Sequence, residues 1–221
     1  MVGRTGIVLR EQEKMAKWNN GSIGIDVCAD QELFVPTAAS LSSAPGHVTI
    51  SDSAAESLED QIVEGDMAEI VEVIDSFAAC SVAEAAQSFG LPESGYFEAV
   101  RPGSHARYPA AEETDSELAD LAGISVEIGG FSWSAVLFTR WEGCVNVALP
   151  WELARMLYFW NKRWGMELVA LSEDTEATML VHVSEPGKNR EEIVATLAAA
   201  GDELVVIPGS YGSLILKVWW D

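Results

Sequence analysis

Residues 151–221 read WELARMLYFWNKRWGMELVALSEDTEATMLVHVSEPGKNREEIVATLAAAGDELVVIPGSYGSLILKVWWD, and this stretch decides the fold. Pro150-Trp151-Glu152 opens a helix, because the fixed φ of proline suits the first helical position and an acid there meets the positive end of the helix dipole. Leu153, Met156, Leu157, Trp160 and Trp164 recur at three- and four-residue spacing, which is one apolar helix face. Tyr158 and Phe159 widen that stripe, so the helix is expected to be covered on more than one side. Lys162 and Arg163 complement the C-terminal end of the dipole, and Gly165 is the stop. Met166 to Leu171 reads as a strand and Ser172 to Thr175 as a polar turn. Ala177, Met179, Val181 and Val183 then alternate with Thr178, Leu180 and His182, the period of a second strand. Pro186-Gly187 ends it. Asn189 and Glu192 have the spacing of a capping box, and Ile193, Val194 and Leu197 form the buried face of the helix that follows, which ends at Gly201. Leu204 to Ile207, the turn Pro208-Gly209-Ser210-Tyr211-Gly212 and Leu214 to Trp220 complete the order helix, strand, strand, helix, strand, strand.

Trp160, the run Trp164-Gly165-Met166-Glu167-Leu168-Val169, Asp174-Thr175, Pro186, Arg190-Glu191-Glu192 and the terminal Trp219-Trp220-Asp221 carry a resemblance. Together they resemble an uncharacterised bacterial domain-of-unknown-function family whose members end in a Trp-Trp-Asp tail. The resemblance covers about a third of the chain. It implies an α+β domain and brings no catalytic residues with it.

The charge is the strongest signal in the composition. The net charge is −22, and between Trp18 and Val100 there are 15 acids and no Lys or Arg. The first 120 residues carry −16 and the remainder −6. Such a field repels nucleic acid and anionic membrane and draws in cationic partners; its other reading is solubility. With 48% hydrophobic residues the 221-residue chain can bury a sizeable core. It has no apolar run long enough for a transmembrane helix. The N-terminus, with Arg4, Arg10, Glu11, Glu13, Lys14 and Lys17, lacks the apolar segment of a signal peptide. Cys28, Cys80 and Cys144 are odd in number and far apart, which points to reduced thiols and a cytoplasmic setting.

Upstream, Thr5 to Leu9, Ser22 to Cys28 with its possible extension Leu33 to Val35, and His47 to Ile50 read as short strands, with a loop from Pro36 to Gly46. Three helices follow from Ser53/Glu56, Asp66/Glu69 and Ser81/Glu84, each at cap-to-third-residue spacing. Their apolar positions are Leu58 and Ile62; Ile70, Val73, Ile74 and Phe77; and Val82, Ala85, Ala86 and Phe89. Gly65 and Gly90 are the stops. Ser81 to Leu91 has the pattern of a first helix of a helix-turn-helix unit, but the residues after it, Pro92-Glu93-Ser94-Gly95-Tyr96-Phe97-Glu98, carry no base to meet DNA. Arg101 to Ser116 reads as a long loop. It divides an acidic α+β region, 1–116, from a C-terminal α+β domain, 117–221; the alternative is one continuous domain. Ile124 to Ile128, Phe131 to Thr139 and Val145 to Leu149 read as strands, the first two joined by Gly129-Gly130.

The pattern for chemistry is sparse. The three His and three Cys contain no paired zinc spacing. Gly129-Gly130 and Gly209-Ser210-Tyr211-Gly212 both lead into strands, which does not fit a phosphate loop. His105 is expected in a solvated loop, His182 as a partnered, half-buried strand residue, Cys144 as a core thiol, and Glu173, Asp174 and Glu176 as an acidic turn. Seven of the eight tryptophans follow residue 130, and most are expected in the core. Trp141, beside Glu142-Gly143 at a turn, is expected to be exposed and to anchor a partner.

The expected fold is α+β: an acidic, helix-containing N-terminal half and a C-terminal antiparallel or mixed sheet covered by two helices. The expected function is non-enzymatic binding, in the sharpest form an immunity- or antitoxin-like inhibitor of a basic protein such as a nuclease toxin. No cofactor or metal is expected, nor direct nucleic-acid or membrane binding. The acids nominated for the partner are Glu56, Glu59, Asp60, Glu64, Asp66, Glu69, Glu72 and Asp75, with Trp141 as anchor. Two alternatives stand beside this: a nucleic-acid mimic that inhibits a defence system, and a small-ligand binder or enzyme with a pocket in the Trp-rich C-terminal half.

Overall fold

The computed structural model describes residues 16–18, 21–23, 25–27, 47–64, 67–97, 106–119, 121–128, 131–173 and 176–221. The strands are β1 Ala16–Trp18, β2 Gly21–Ile23, β3 Ile25–Val27, β4 His47–Ile50, β5 Ala106–Arg107, β6 Ile124–Ile128, β7 Met166–Ser172, β8 Ala177–Val183, β9 Glu203–Pro208 and β10 Leu214–Trp220. The helices are α1 Asp52–Glu64, α2 Met67–Phe77, α3 Val82–Ala86, α4 Thr114–Ala119, α5 Ala135–Phe138, α6 Pro150–Trp164 and α7 Arg190–Ala200. The protein is α+β. β1 and β2 form a two-stranded ribbon, and the other strands form one eight-stranded mixed sheet in the order β3-β6-β4-β7-β8-β10-β9-β5. β4 runs parallel to β7 and β5 parallel to β9, while the remaining neighbours are antiparallel. Strands from both sides of residue 116 thus lie in the same sheet.

The C-terminal block folds in the order its periodicity dictates. α6 starts with Pro150 at its first turn, and the Glu152 carboxylate accepts from the Leu149 amide at 2.8 Å, satisfying one orphan donor. It ends where Gly165 turns left-handed (φ 64) and donates to the Asn161 carbonyl at 2.8 Å. Leu153, Met156, Leu157 and Trp160 are buried, and the Trp160 indole N–H donates to the Gly95 carbonyl at 3.3 Å. α7 is buried along Ile193–Ala198, nearly all round, because it sits between the sheet and the loop through Phe97. Its expected capping box is absent. Asn189 makes no side-chain cap bond, and Glu192 instead accepts from Arg163 (3.0 Å) and from the Trp164 indole (3.3 Å), tying α7 to the end of α6.

Helices α1, α2, α3, α5, α6 and α7 all pack into one apolar core with Val48, Ile50, Met179, Val181, Val183, Leu216 and Val218 of the sheet. The two expected C-terminal helices therefore share that face with helices from the N-terminal half. The opposite face carries a smaller cluster in which α4, through Leu118, covers Leu180, Val205, Ile207 and Ile215. A bulge in β7 between Leu168 and Ala170 gives that second face both Val169 and Ala170. An extra residue breaks the two-residue alternation locally.

Several local expectations are corrected. Phe131 to Thr139 is not a strand: Ser132–Ser134 is a 3-10 turn running into α5. Ser132 to Thr139 is buried throughout, so its composition lacks the alternation that separates strand from helix. The serine and threonine hydroxyls close the turns internally, Ser134 to the Phe131 carbonyl at 2.7 Å and Thr139 to the Ala135 carbonyl at 2.8 Å. Val145 to Leu149 is a chain of tight turns, with the Val145 amide donating to Glu142 and the Val147 amide to Cys144. Inside the expected loop Arg101 to Ser116, β5 adds to the sheet edge and α4 begins at Thr114. α1 begins at Asp52, so Ser51, whose carbonyl accepts from Ala55 at 2.9 Å, occupies the place expected for Ser53. At Ser81 the capping box with Glu84 is formed as expected. The strands expected at Thr5 to Leu9 and Leu33 to Val35, the loop Pro36 to Gly46, Cys28, Gly65, Asp66, His105, Gly129-Gly130 and Asp174-Thr175 lie outside the described residues.

Candidate functional site

Helix α2 shows how the sequence sorts its charge. Ile70, Ile74 and Phe77 are buried against the core, so the intervening Glu69, Glu72 and Asp75 are turned to solvent one helical turn apart. On α1, Ala54 and Leu58 are buried and Glu56 is exposed. Glu59, Asp60 and Glu64 lie on the same helix, with side chains outside the description, and Asp66 falls outside it altogether. Four of the nominated acids are therefore placed on solvent-facing positions of two consecutive helices: Glu56, Glu69, Glu72 and Asp75. Neither helix carries a base in its last turn.

Trp141 is not the anchor. It is 1% exposed, its ring meets the Trp220 ring edge-on at 5.7 Å, and its indole N–H points at the Ser172 carbonyl at 3.4 Å. A Cβ placed on Gly143 would run into the indole, so this glycine lets the backbone fold flat over the ring. The turn is where the sequence puts it, but the side chain points inward.

Among the tryptophans whose side chains are described, Trp151 is the exposed one, at 39%. It follows Pro150 in the first turn of α6, before the buried face starts at Leu153. Val145 (51%) and Leu149 (45%) on the preceding turns are exposed as well. The Arg155 guanidinium lies 4.9 Å from the centre of the Trp151 ring, and its Nη2 donates to the Glu84 carbonyl at 3.3 Å. Ser88 donates to Glu152 at 2.7 Å, joining the start of α6 to the residues after α3. Trp151 thus stands close to α3, with Arg155 between its ring and Glu84. The signal in the sequence was its place next to Pro150, two residues ahead of the apolar repeat.

The groups capable of chemistry sit elsewhere. Cys144 is buried 3.5 Å from the Ala148 carbonyl, and burial pushes its thiol up to about 12, which suits a core side chain and not a nucleophile. Cys80 is partly exposed; desolvation and the nearby Glu84 carboxylate raise its thiol too. Among the described residues no three His, Cys, Asp or Glu side chains gather to hold a metal ion, and no helix is long and apolar enough to cross a membrane.

His182 differs from its expectation: it is buried, and its Nε2 has no hydrogen-bond partner. It lies on the second face of the sheet, opposite Glu167 of β7 and Ile215 of β10. Desolvation lowers the pKa of the imidazole and raises that of the half-buried Glu167 carboxyl. Below the ordinary histidine value the unfolded chain takes up a proton that folded His182 refuses, so stability falls as pH drops from about 6.5 towards the folded value. Glu167 has the opposite slope: stability falls as pH rises from its ordinary value through the raised folded one. His182→Leu is expected to remove the first slope and to be at least as stable as the parent at about pH 5, since no buried nitrogen is left unpaired. Urea midpoints at about pH 5 and about pH 7.5 check this; an unchanged acid slope would assign it to another group.

Compared with protein-family models, curated proteins and solved structures, the chain matches none.

Proposed function

We propose that this protein is a non-enzymatic acidic binding protein, acting in the cytoplasm as an immunity- or antitoxin-like inhibitor of a basic protein partner, a nuclease toxin being the sharpest case. The observation that carries this reading is the solvent-facing row Glu69, Glu72 and Asp75, with Glu56 on the neighbouring helix, in a stretch from Trp18 to Val100 that holds no Lys or Arg. A surface of one sign steers an oppositely charged partner and makes capture depend on salt. The kinship of residues 151–221 to the Trp-Trp-Asp-tailed family belongs to the same proposal and adds no site residue to it.

The test starts with the basic protein that immobilised chain retains at low salt and releases as salt rises. Replacing Glu56, Glu69, Glu72 and Asp75 together by Lys is expected to slow its association by about tenfold to a hundredfold at low ionic strength and to flatten the salt dependence. All four positions are exposed, so the fold is expected to survive, which thermal unfolding verifies. Unchanged association kinetics in the folded variant would sink the proposal.

A further inference from the structure

We draw no further inference here: the strongest candidate, the pair on the second face of the sheet in which buried His182, its Nε2 unpartnered, stands opposite half-buried Glu167 of β7, brings together two ligand-bearing side chains with no third beside them among the described residues, and nothing in the structure shows what covers it.

Discussion

Trp141→Ala is expected to cost about 3–5 kcal/mol of folding stability, the range for truncating a large aromatic in a packed core. Three separate losses meet at this position. The indole is almost wholly buried, so its removal leaves a cavity between the 140–147 turns and the last strand. The edge-on contact with Trp220 disappears, and Trp220 is itself tied down, its indole N–H donating to the Ala200 carbonyl at 2.9 Å. The Ser172 carbonyl at the end of β7 loses its indole donor. Domains of this kind hold about 5–15 kcal/mol in total, so the variant is expected to be marginal at room temperature. Trp141→Phe keeps a ring against Trp220 and is expected to lose roughly half as much. Trp151→Ala, at an exposed position two residues ahead of Leu153, is expected to stay within about 0.5 kcal/mol of the parent. Urea titrations of the three variants, read as midpoint shifts at constant slope, separate these outcomes. A cost below about 1 kcal/mol for Trp141→Ala would mean that the turn opens readily and that the burial described for the indole is wrong.

The contrast between Trp141 and Trp151 shows where sequence reasoning stops. Both lie beside a breaker, Gly143 in one case and Pro150 in the other. A turn residue places the backbone at the surface but does not say which way the neighbouring side chain points. Gly143 lets the chain close over the indole, and that could be known only with the third dimension in hand. The C-terminal elements were legible because their patterns are long and regular: five apolar residues at helical spacing in α6, a period of two in β8, and six apolar residues among the seven of β10. Ser132 to Phe138 was not, since a short stretch buried on every side has no period to read. The bulge at Val169 was equally hidden, because one inserted residue only shifts the alternation by one. Strand order was out of reach as well. Nothing local places β4 between β6 and β7, or sends Ala106–Arg107 to the far edge beside β9. For the candidate site, the acids of α2 were legible from the same spacing that buries Ile70, Ile74 and Phe77, whereas the exposed residues at the start of α6 were hidden inside stretches read as strand and core helix.

Glu117→Ala, on the second face of the sheet, is expected to cost about 3 kcal/mol of folding stability. Lys217 of β10 is only 7% exposed, and its ammonium donates to the Glu117 carbonyl at 3.0 Å, with the Glu117 carboxylate 3.8 Å away. That carboxylate also takes the Arg107 guanidinium at 2.7 Å, and Arg107 reaches Glu203 at 3.2 Å. One acid on α4 therefore joins the helix to β10 and to the edge strand β5, while Leu118 beside it fills the apolar cluster below. Removing the carboxylate leaves a buried ammonium with a backbone carbonyl as its remaining partner, and α4 loses its tie to Arg107. Lys217→Met removes the buried charge while the Arg107–Glu117 pair stays, so it is expected to fall within about 1 kcal/mol of the parent or to stabilise. The Arg107 hydrogen bond is the main cause that holds Glu117 below the ordinary carboxylate value, with Lys217 a smaller one. Its contribution is then fully present above about pH 4.5 and is lost as pH falls through the lowered folded value, because only there must the native carboxylate accept a proton. Urea midpoints of the parent, Glu117→Ala and Lys217→Met between about pH 3 and pH 7 decide the matter. The first variant is expected to lose the acid-sensitive part of the parent's curve and the second to keep most of it. If instead Lys217→Met is the more damaging of the two, the ammonium is the favourable partner in this network, and α4 is held by the lysine and not by the arginine.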